Sequence, residues 1–287
     1  MERSSTAALA YEPDGGRFFW DGFHQTLLAR FQDMASARGW ALLTTRWKEN
    51  RRHEVIDQLR ATRVTGAILD KQDPELLALL RKAGIAPVIV DAWYEDAFAD
   101  LVAQDGFSGG VLAVAHLVGR GHRRIGMLGP EPIDGELQIA ERYGGVAGGL
   151  RRLGQDLTSD LIVHAPLNDA SAARARAREL LDRADRPTAI LALWQDMVQA
   201  LVDAAEDLHL VPGKDFDMVG WSTDEEYPTR YSRLFVRGLV PPAVVWSMDR
   251  MADMAIRCIR LRRTDPEISP MLVRVPVRLE IQNWRRA

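Results

Sequence analysis

Cysteine is almost missing from this sequence: Cys258 is the only one in 287 residues. No internal disulfide can form, and no Cys/His spacing suggests a zinc site. Long apolar runs are missing as well. Near the N-terminus the apolar stretch runs only from Ala7 to Tyr11 before Glu12 ends it. An export signal needs a longer apolar core, and no segment approaches the ~20 residues of a membrane span. A reducing cytoplasm is therefore expected, with no membrane partner. Nor is there an excess of positive charge. Lys and Arg number 37 against 40 Asp and Glu, a formal net charge of −3. Such a chain alone is poorly suited to gripping phosphate backbones. No low-complexity run or internal repeat is visible.

What is present is alternation. Short apolar runs at 6–11, 40–45, 66–70, 87–91 and 100–104 read as strands. Helical spacings lie between them, such as Phe23, Leu27, Phe31 and Met34, ended by Gly39. The pattern resumes with strands expected at 124–128, 161–164, 188–193 and 216–220. Helices are expected over 111–118, 142–153, 170–181 and 195–208. Pro241 and Pro242 should open a last long helix ending near Leu261, because a first-turn residue has no intrahelical N–H bond to lose. A final strand is expected over 273–279.

Repeated β-α-β order implies parallel sheets covered by helices. The length suits two domains of ~100–200 residues each, with a boundary near Asp105. The expected class is α/β, with two parallel-sheet, Rossmann-like lobes. Such sheets bind ligands beyond the carboxyl ends of their strands, so two facing sheets would line one cleft between the lobes.

Several stretches carry a resemblance. One runs from His116 through Gly119-Arg-Gly-His-Arg-Arg-Ile125 to Pro130, preceded by Asp105 and the pair Gly109-Gly110. Others are Arg142-Tyr-Gly-Gly145, Arg186-Pro-Thr-Ala-Ile-Leu-Ala-Leu-Trp-Gln-Asp196, and Leu208 to Trp221. Gln58–Leu69 and Gly84–Asp91 fit as well. In order and spacing they resemble the effector-binding region of the lactose-repressor (LacI/GalR) family of transcription regulators, over roughly residues 6 to 282.

The resemblance implies a type I periplasmic-binding-protein-like fold. Chain crossings are expected near Asp105, near Phe235–Arg237 and near Thr264–Glu267. The lobes would be 1–104 with 237–265, and 105–236 with 266–287. It also implies a homodimer, a small-molecule, carbohydrate-like effector, and operator DNA contacted only through a helix-turn-helix head. The first strand begins almost at Met1, so that head is expected to be absent from this chain. A fragment of a longer regulator is the favoured reading over a natural headless relative. No cofactor is implied.

A sugar-like effector needs aromatic faces and directional polar groups. Arg142 is the leading candidate, since its guanidinium offers five donors in a fixed fork and the family's arginine lines the ligand. The alternative is a solvated helix residue beside Glu141. Asp105 is either a ligand acceptor or a helix N-cap. For Asp196 capping is favoured, and Gln195 stands where many relatives have Asn. After Gly220 the sugar-binding relatives show an aromatic residue followed by Asp. This chain has Trp221, Ser222 and Thr223, with Asp224 as a possible substitute only if the loop is shifted. Phe18, Phe19 and Trp20, with Trp93 and Tyr94, would stand at the cleft mouth or pack between loop and lobe.

Two other classes are weighed. A stand-alone solute-binding protein of a transport system would share the fold, but the missing export signal speaks against it. A hydrolase is suggested by Gly106-Phe-Ser108-Gly-Gly110, with His209 and Asp196 downstream. The preceding strand is weak, however, and Gly109 and Gly110 read more simply as allowing close helix packing. No enzyme activity is expected. The Arg-rich run 174–183 reads as a solvated helix face. Met248, Met251 and Met254 read as core or dimer packing.

Overall fold

The computed structural model describes residues 5–11, 22–92, 99–131, 137–167, 169–227, 240–282 and 284. The chain forms two compact units, Met1–Gln104 with Met248–Val275, and Asp105–Ser247 with Pro276–Ala287.

The first unit contains strands β1 (Ser5–Tyr11), β2 (Ala41–Trp47), β3 (Gly66–Leu69), β4 (Ala86–Val90) and β5 (Asp100–Gln104). Helices α1 (Gly22–Ser36), α2 (Arg52–Ala61) and α3 (Pro74–Lys82) fall between them. Its sheet has the order β11-β5-β4-β3-β1-β2 and is parallel throughout. β3, β4 and β5 are buried along their whole length, so β3 and β4 read as continuous apolar runs rather than alternating ones, while β5 keeps an apolar centre between the buried polar residues Asp100 and Gln104. The Asp73 carboxylate accepts from the Leu76 N–H at 2.7 Å and caps α3, which has Pro74 in its first turn. Arg52 donates to the same carboxylate and ties α2 to α3.

The second unit begins with α4 (Gly106–Gly119) and β6 (Ile125–Pro130). It continues through α5 (Leu137–Arg152), β7 (Ile162–Ala165), α6 (Ala170–Leu181), β8 (Ala189–Ala192) and α7 (Gln195–Asp207) to β9 (Asp217–Thr223) and β10 (Ala243–Trp246). Its sheet has the order β12-β10-β9-β8-β6-β7, parallel except for β12 against β10. Strand alternation sorts the helices into layers. Met218, Ala243 and Val245 join the core cluster built on α6 and α7. Trp221 and Val244 project the other way and meet Gly109 of α4. Helices therefore cover both faces of this sheet.

The glycine pairs explain how α4 and α5 approach each other. A Cβ on Gly145 would lie 2.1 Å from the Phe107 carbonyl oxygen, and one on Gly110 would lie 2.6 Å from the Val146 nitrogen. Gly106–Gly110 is thus the packed first part of α4, as the packing reading of those glycines expects. The Arg-rich helix α6 is a solvated face laced by ion pairs such as Arg174–Asp207 at 2.5 Å and Arg178–Asp182 at 3.4 Å.

Two expected elements differ. Pro241 and Pro242 do not open a helix; they lead into β10, whose Val244, Val245 and Trp246 pair with β9 and β12. Helix α8 starts only at Met248 and runs to Thr264. β-branched and aromatic residues that fit a doubly buried strand outweigh the proline signal there. The expected last strand, 273–279, is two strands, β11 (Leu272–Val275) and β12 (Val277–Glu280), in different sheets. Pro276 separates them, having no N–H to give a ladder. The unit boundaries accordingly fall at 247/248 and 275/276, later in the chain than the crossings expected near 235–237 and 264–267. Met248 and Met251 are fully buried in the first unit. No described helix is long and apolar enough to cross a membrane.

Candidate functional site

The carboxyl ends of β6, β8 and β9 in the second unit gather the polar and aromatic side chains expected of a ligand site. Arg142 projects from α5 and is only 4% exposed, so it is not a solvated helix residue. Its guanidinium lies 3.9 Å from the Trp194 ring centroid and 4.3 Å from that of Trp221. One terminal nitrogen donates to the Leu193 carbonyl oxygen. Each indole contact contributes about 0.5–2 kcal/mol when desolvated. Trp194 follows β8, and Trp221 lies in β9 with its ring edge against Gly109. A Cβ there would sit 2.3 Å from the indole, so glycine makes room for the ring.

Gln195 opens α7 beside Trp194. Its amide nitrogen donates to Ser222 Oγ at 2.8 Å and to Glu226 Oε2 at 2.7 Å. Ser222, in β9, is buried. The Thr223 hydroxyl accepts from the Glu226 N–H at 3.2 Å and fixes the turn that brings Glu226 in. At the neighbouring strand ends the Tyr143 hydroxyl lies 3.0 Å from the Pro130 carbonyl oxygen and 2.9 Å from His164 Nδ1. Burial pushes the Tyr143 phenol well above its ordinary pKa. These groups offer flat apolar surface, amide and hydroxyl donors, and a carboxylate acceptor, the chemistry that recognises hydroxyl-rich ligands.

The other expected residues fall out differently. Asp105 caps α4, accepting from the Ser108 N–H at 3.0 Å. Asp196 is not a cap: Trp194 occupies the N-cap position of α7, without a side-chain cap bond, and Asp196 is exposed in the first turn. There its charge suits the positive end of the helix dipole. Asp224 accepts from Arg278 at 2.6 Å. Phe19, Trp20 and Trp93, with Phe18 and Tyr94, lie outside the described residues. Trp194 and Glu226 had no signal of their own in the sequence. Trp194 stands between an apolar strand and a helix start, and Glu226 sits in an acidic stretch that looks solvated.

The motif Gly119–Arg124 works at the opposite, amino end of the same sheet. Asp217 opens β9 and is 1% exposed. It accepts from His122 Nε2 at 2.6 Å, Arg120 Nε at 3.0 Å and the Trp284 indole at 2.9 Å. His122 Nδ1 also lies 2.9 Å from the Thr188 hydroxyl. The network pins α4, β8, β9 and residue 284 together, and its role is architectural.

The comparisons agree with this anatomy. A profile of the periplasmic binding protein-like domain matches residues 114–282. The HTH-type transcriptional repressor PurR of Pectobacterium carotovorum is 27% identical over 188 residues, 64% of this chain and 53% of the repressor. This chain thus spans about half the length of that relative. Among solved structures, the transcriptional regulator CelR–cellobiose complex matches at a TM-score of 0.77 and 21% identity, over 98% of this chain and 85% of that one. A LacI family transcriptional regulator from Enterococcus faecium with bound ribose matches at 0.76 and 20%, over 98% of both chains. With the profile covering more than half of its length, the chain belongs to the periplasmic-binding-protein-like domain family.

Proposed function

We propose that this chain is the effector-sensing and dimerisation module of a LacI-type transcription regulator, acting in the cytoplasm. Its effector is a carbohydrate-like small molecule held at the carboxyl ends of β6, β8 and β9 in the second unit. Arg142, Trp221, Gln195 and Ser222 belong to that site, with Trp194 and Glu226 added by the geometry. The observation that carries this reading is the buried Arg142 guanidinium against two indoles, in the same unit as a Gln195 amide that joins Ser222 to Glu226. The cellobiose and ribose in the two similar structures support the ligand class. Glu226, anchored by Gln195, supplies the carboxylate that the residue after Trp221 does not.

Sensing works by population shift. An effector that binds one arrangement of the two units better than another biases the equilibrium by that difference in affinity. In a dimer carrying DNA-reading heads, that bias alters operator binding, and two-fold symmetry would be matched by a palindromic site. Small-angle scattering with and without saturating effector tests the closure step: a decrease in radius of gyration is expected, and identical curves would refute it. Sedimentation equilibrium tests the dimer.

A further inference from the structure

Gln138 is a buried polar residue of the second unit that neither the Arg142 site nor the Asp217 network uses. It lies in the first turn of α5 and is only 9% exposed. Its amide oxygen, Oε1, is buried and has no hydrogen-bond partner among the described residues. An amide carbonyl is an acceptor with two lone pairs, and leaving one buried and unpaired costs stability. Folded chains keep few such groups, so each one kept calls for a cause.

The position of Gln138 points to that cause. Helix α5 follows β6, and the Tyr143 hydroxyl lies 3.0 Å from the carbonyl oxygen of Pro130, the last residue of that strand. Residues four apart share a helix face, and their side chains lean towards the helix N-terminus. Gln138 therefore stands on the same buried face as Arg142, one turn or ~6 Å nearer the start of α5. Helix α4 begins only level with Arg142. A Cβ on Gly106, its first residue, would meet the Glu141 and Arg142 side chains, and one on Gly110 would meet Val146. The two helices run side by side from Arg142 onwards, and the Gln138 turn precedes that contact.

We propose that Gln138 is a specificity-determining residue of the effector site, whose Oε1 accepts a hydrogen bond from a hydroxyl or amino group of the effector. This rests on the reading of the second unit's strand ends as that site. Arginine only donates and an amide carbonyl only accepts. A hydroxyl does both, so neighbouring hydroxyls of one sugar suit the pair: one accepts from Arg142 while the next donates to Gln138. A carboxylate or phosphate at the Gln138 end has no proton to give and meets the negative end of the carbonyl dipole. A buried acceptor of this kind rejects an analogue that lacks the matching donor.

Two measurements on Gln138→Met and Gln138→Leu test this. Both variants replace the amide by an apolar side chain. The first is thermal unfolding without ligand. An acceptor kept for a ligand is a burden on the empty chain, so the melting temperature should hold or rise by up to about 4 °C. A fall of several degrees in both variants would show that the fold itself uses the amide, and would overturn the proposal. The second is isothermal titration with ribose, glucose and cellobiose. The sugar that binds the parent chain should bind both variants about tenfold or more weakly. Its monodeoxy analogues should include one that loses as much on the parent chain and loses nothing further on the variants. Sugar binding that both variants retain would overturn this inference alone. No binding of any of the three sugars to the parent chain would overturn the carbohydrate reading of the site and this inference with it.

Discussion

The guanidinium of Arg142 lies 3.9 Å from the Trp194 ring centroid, bringing a residue of α5 against one in the connection between β8 and α7. With the Trp221 ring centroid at 4.3 Å as well, the arginine is a buried cation held against two indoles. Part of its hydrogen-bonding edge is held by the Leu193 carbonyl. Arg142→Ala should cost about 2–4 kcal/mol in urea unfolding, from two lost cation–π contacts and an unpartnered carbonyl. Arg142→Lys should recover little of it, since an ammonium lacks the planar, multi-donor guanidinium surface that packs on indole rings. Tryptophan fluorescence should shift in both variants.

The α4–α5 contact makes opposite predictions for adjacent glycines. Gly145→Ala places a Cβ 2.1 Å from the Phe107 carbonyl oxygen, backbone that cannot step aside. A loss of about 2 kcal/mol or more is expected. Gly144 is exposed, and its Cβ would meet only the Phe107 ring at 3.7 Å. Gly144→Ala should therefore stabilise by about 0.5–1 kcal/mol through helix propensity. Thermal melts of the two variants should move in opposite directions.

Asp217 gives the acid behaviour. Burial by itself pushes this carboxyl up, but the hydrogen bonds from His122, Trp284 and Arg120 outweigh it and hold the pKa below the ordinary range. A carboxyl depressed in the folded state contributes stability above its unfolded value of about 4. That contribution is lost as pH falls through the folded value. Asp217→Asn should cost about 3 kcal/mol at neutral pH, and the difference from the parent should shrink below about pH 4. A difference independent of pH would contradict the assignment.

Cys258 is buried in α8, and burial together with the Asp100 charge lifts its thiol to about 11. The thiolate is the reactive form, so a disulfide reagent at neutral pH should find no thiol in the native chain and one after denaturation. Rapid native labelling would contradict this burial.

Much of the fold was legible in the sequence because parallel strands buried on both faces leave unbroken apolar runs, as at Gly66–Leu69 and Ala86–Val90. The failures were local contests. Pro241-Pro242 looked like a helix start, but the following Val244-Val245-Trp246 complete a sheet whose other strands are distant in sequence. Pro276 sits within one strand-like stretch, Leu272–Glu280, that two sheets divide. Of the proposed site, Arg142, Gln195, Trp221 and Ser222 could be singled out from the sequence through the family resemblance. Trp194 and Glu226 were not, because their roles exist only once α5, α7 and β9 are packed. Asp196 misled for the opposite reason: an acidic residue near a helix start scores alike as a cap or as a first-turn charge.

The central claim is that the second unit holds an effector at these strand ends. It is tested most directly by a thermal-shift screen of this chain against monosaccharides, disaccharides, sugar acids, polyols and purines, repeated on Gln195→Ala and Arg142→Ala. A ligand at about a hundred times its Kd stabilises by about 2.7 kcal/mol, a rise of several degrees for a chain this long. The account predicts at least one such rise among the hydroxyl-rich compounds, abolished in both variants. No rise with any compound, or a rise that both variants retain, would contradict it.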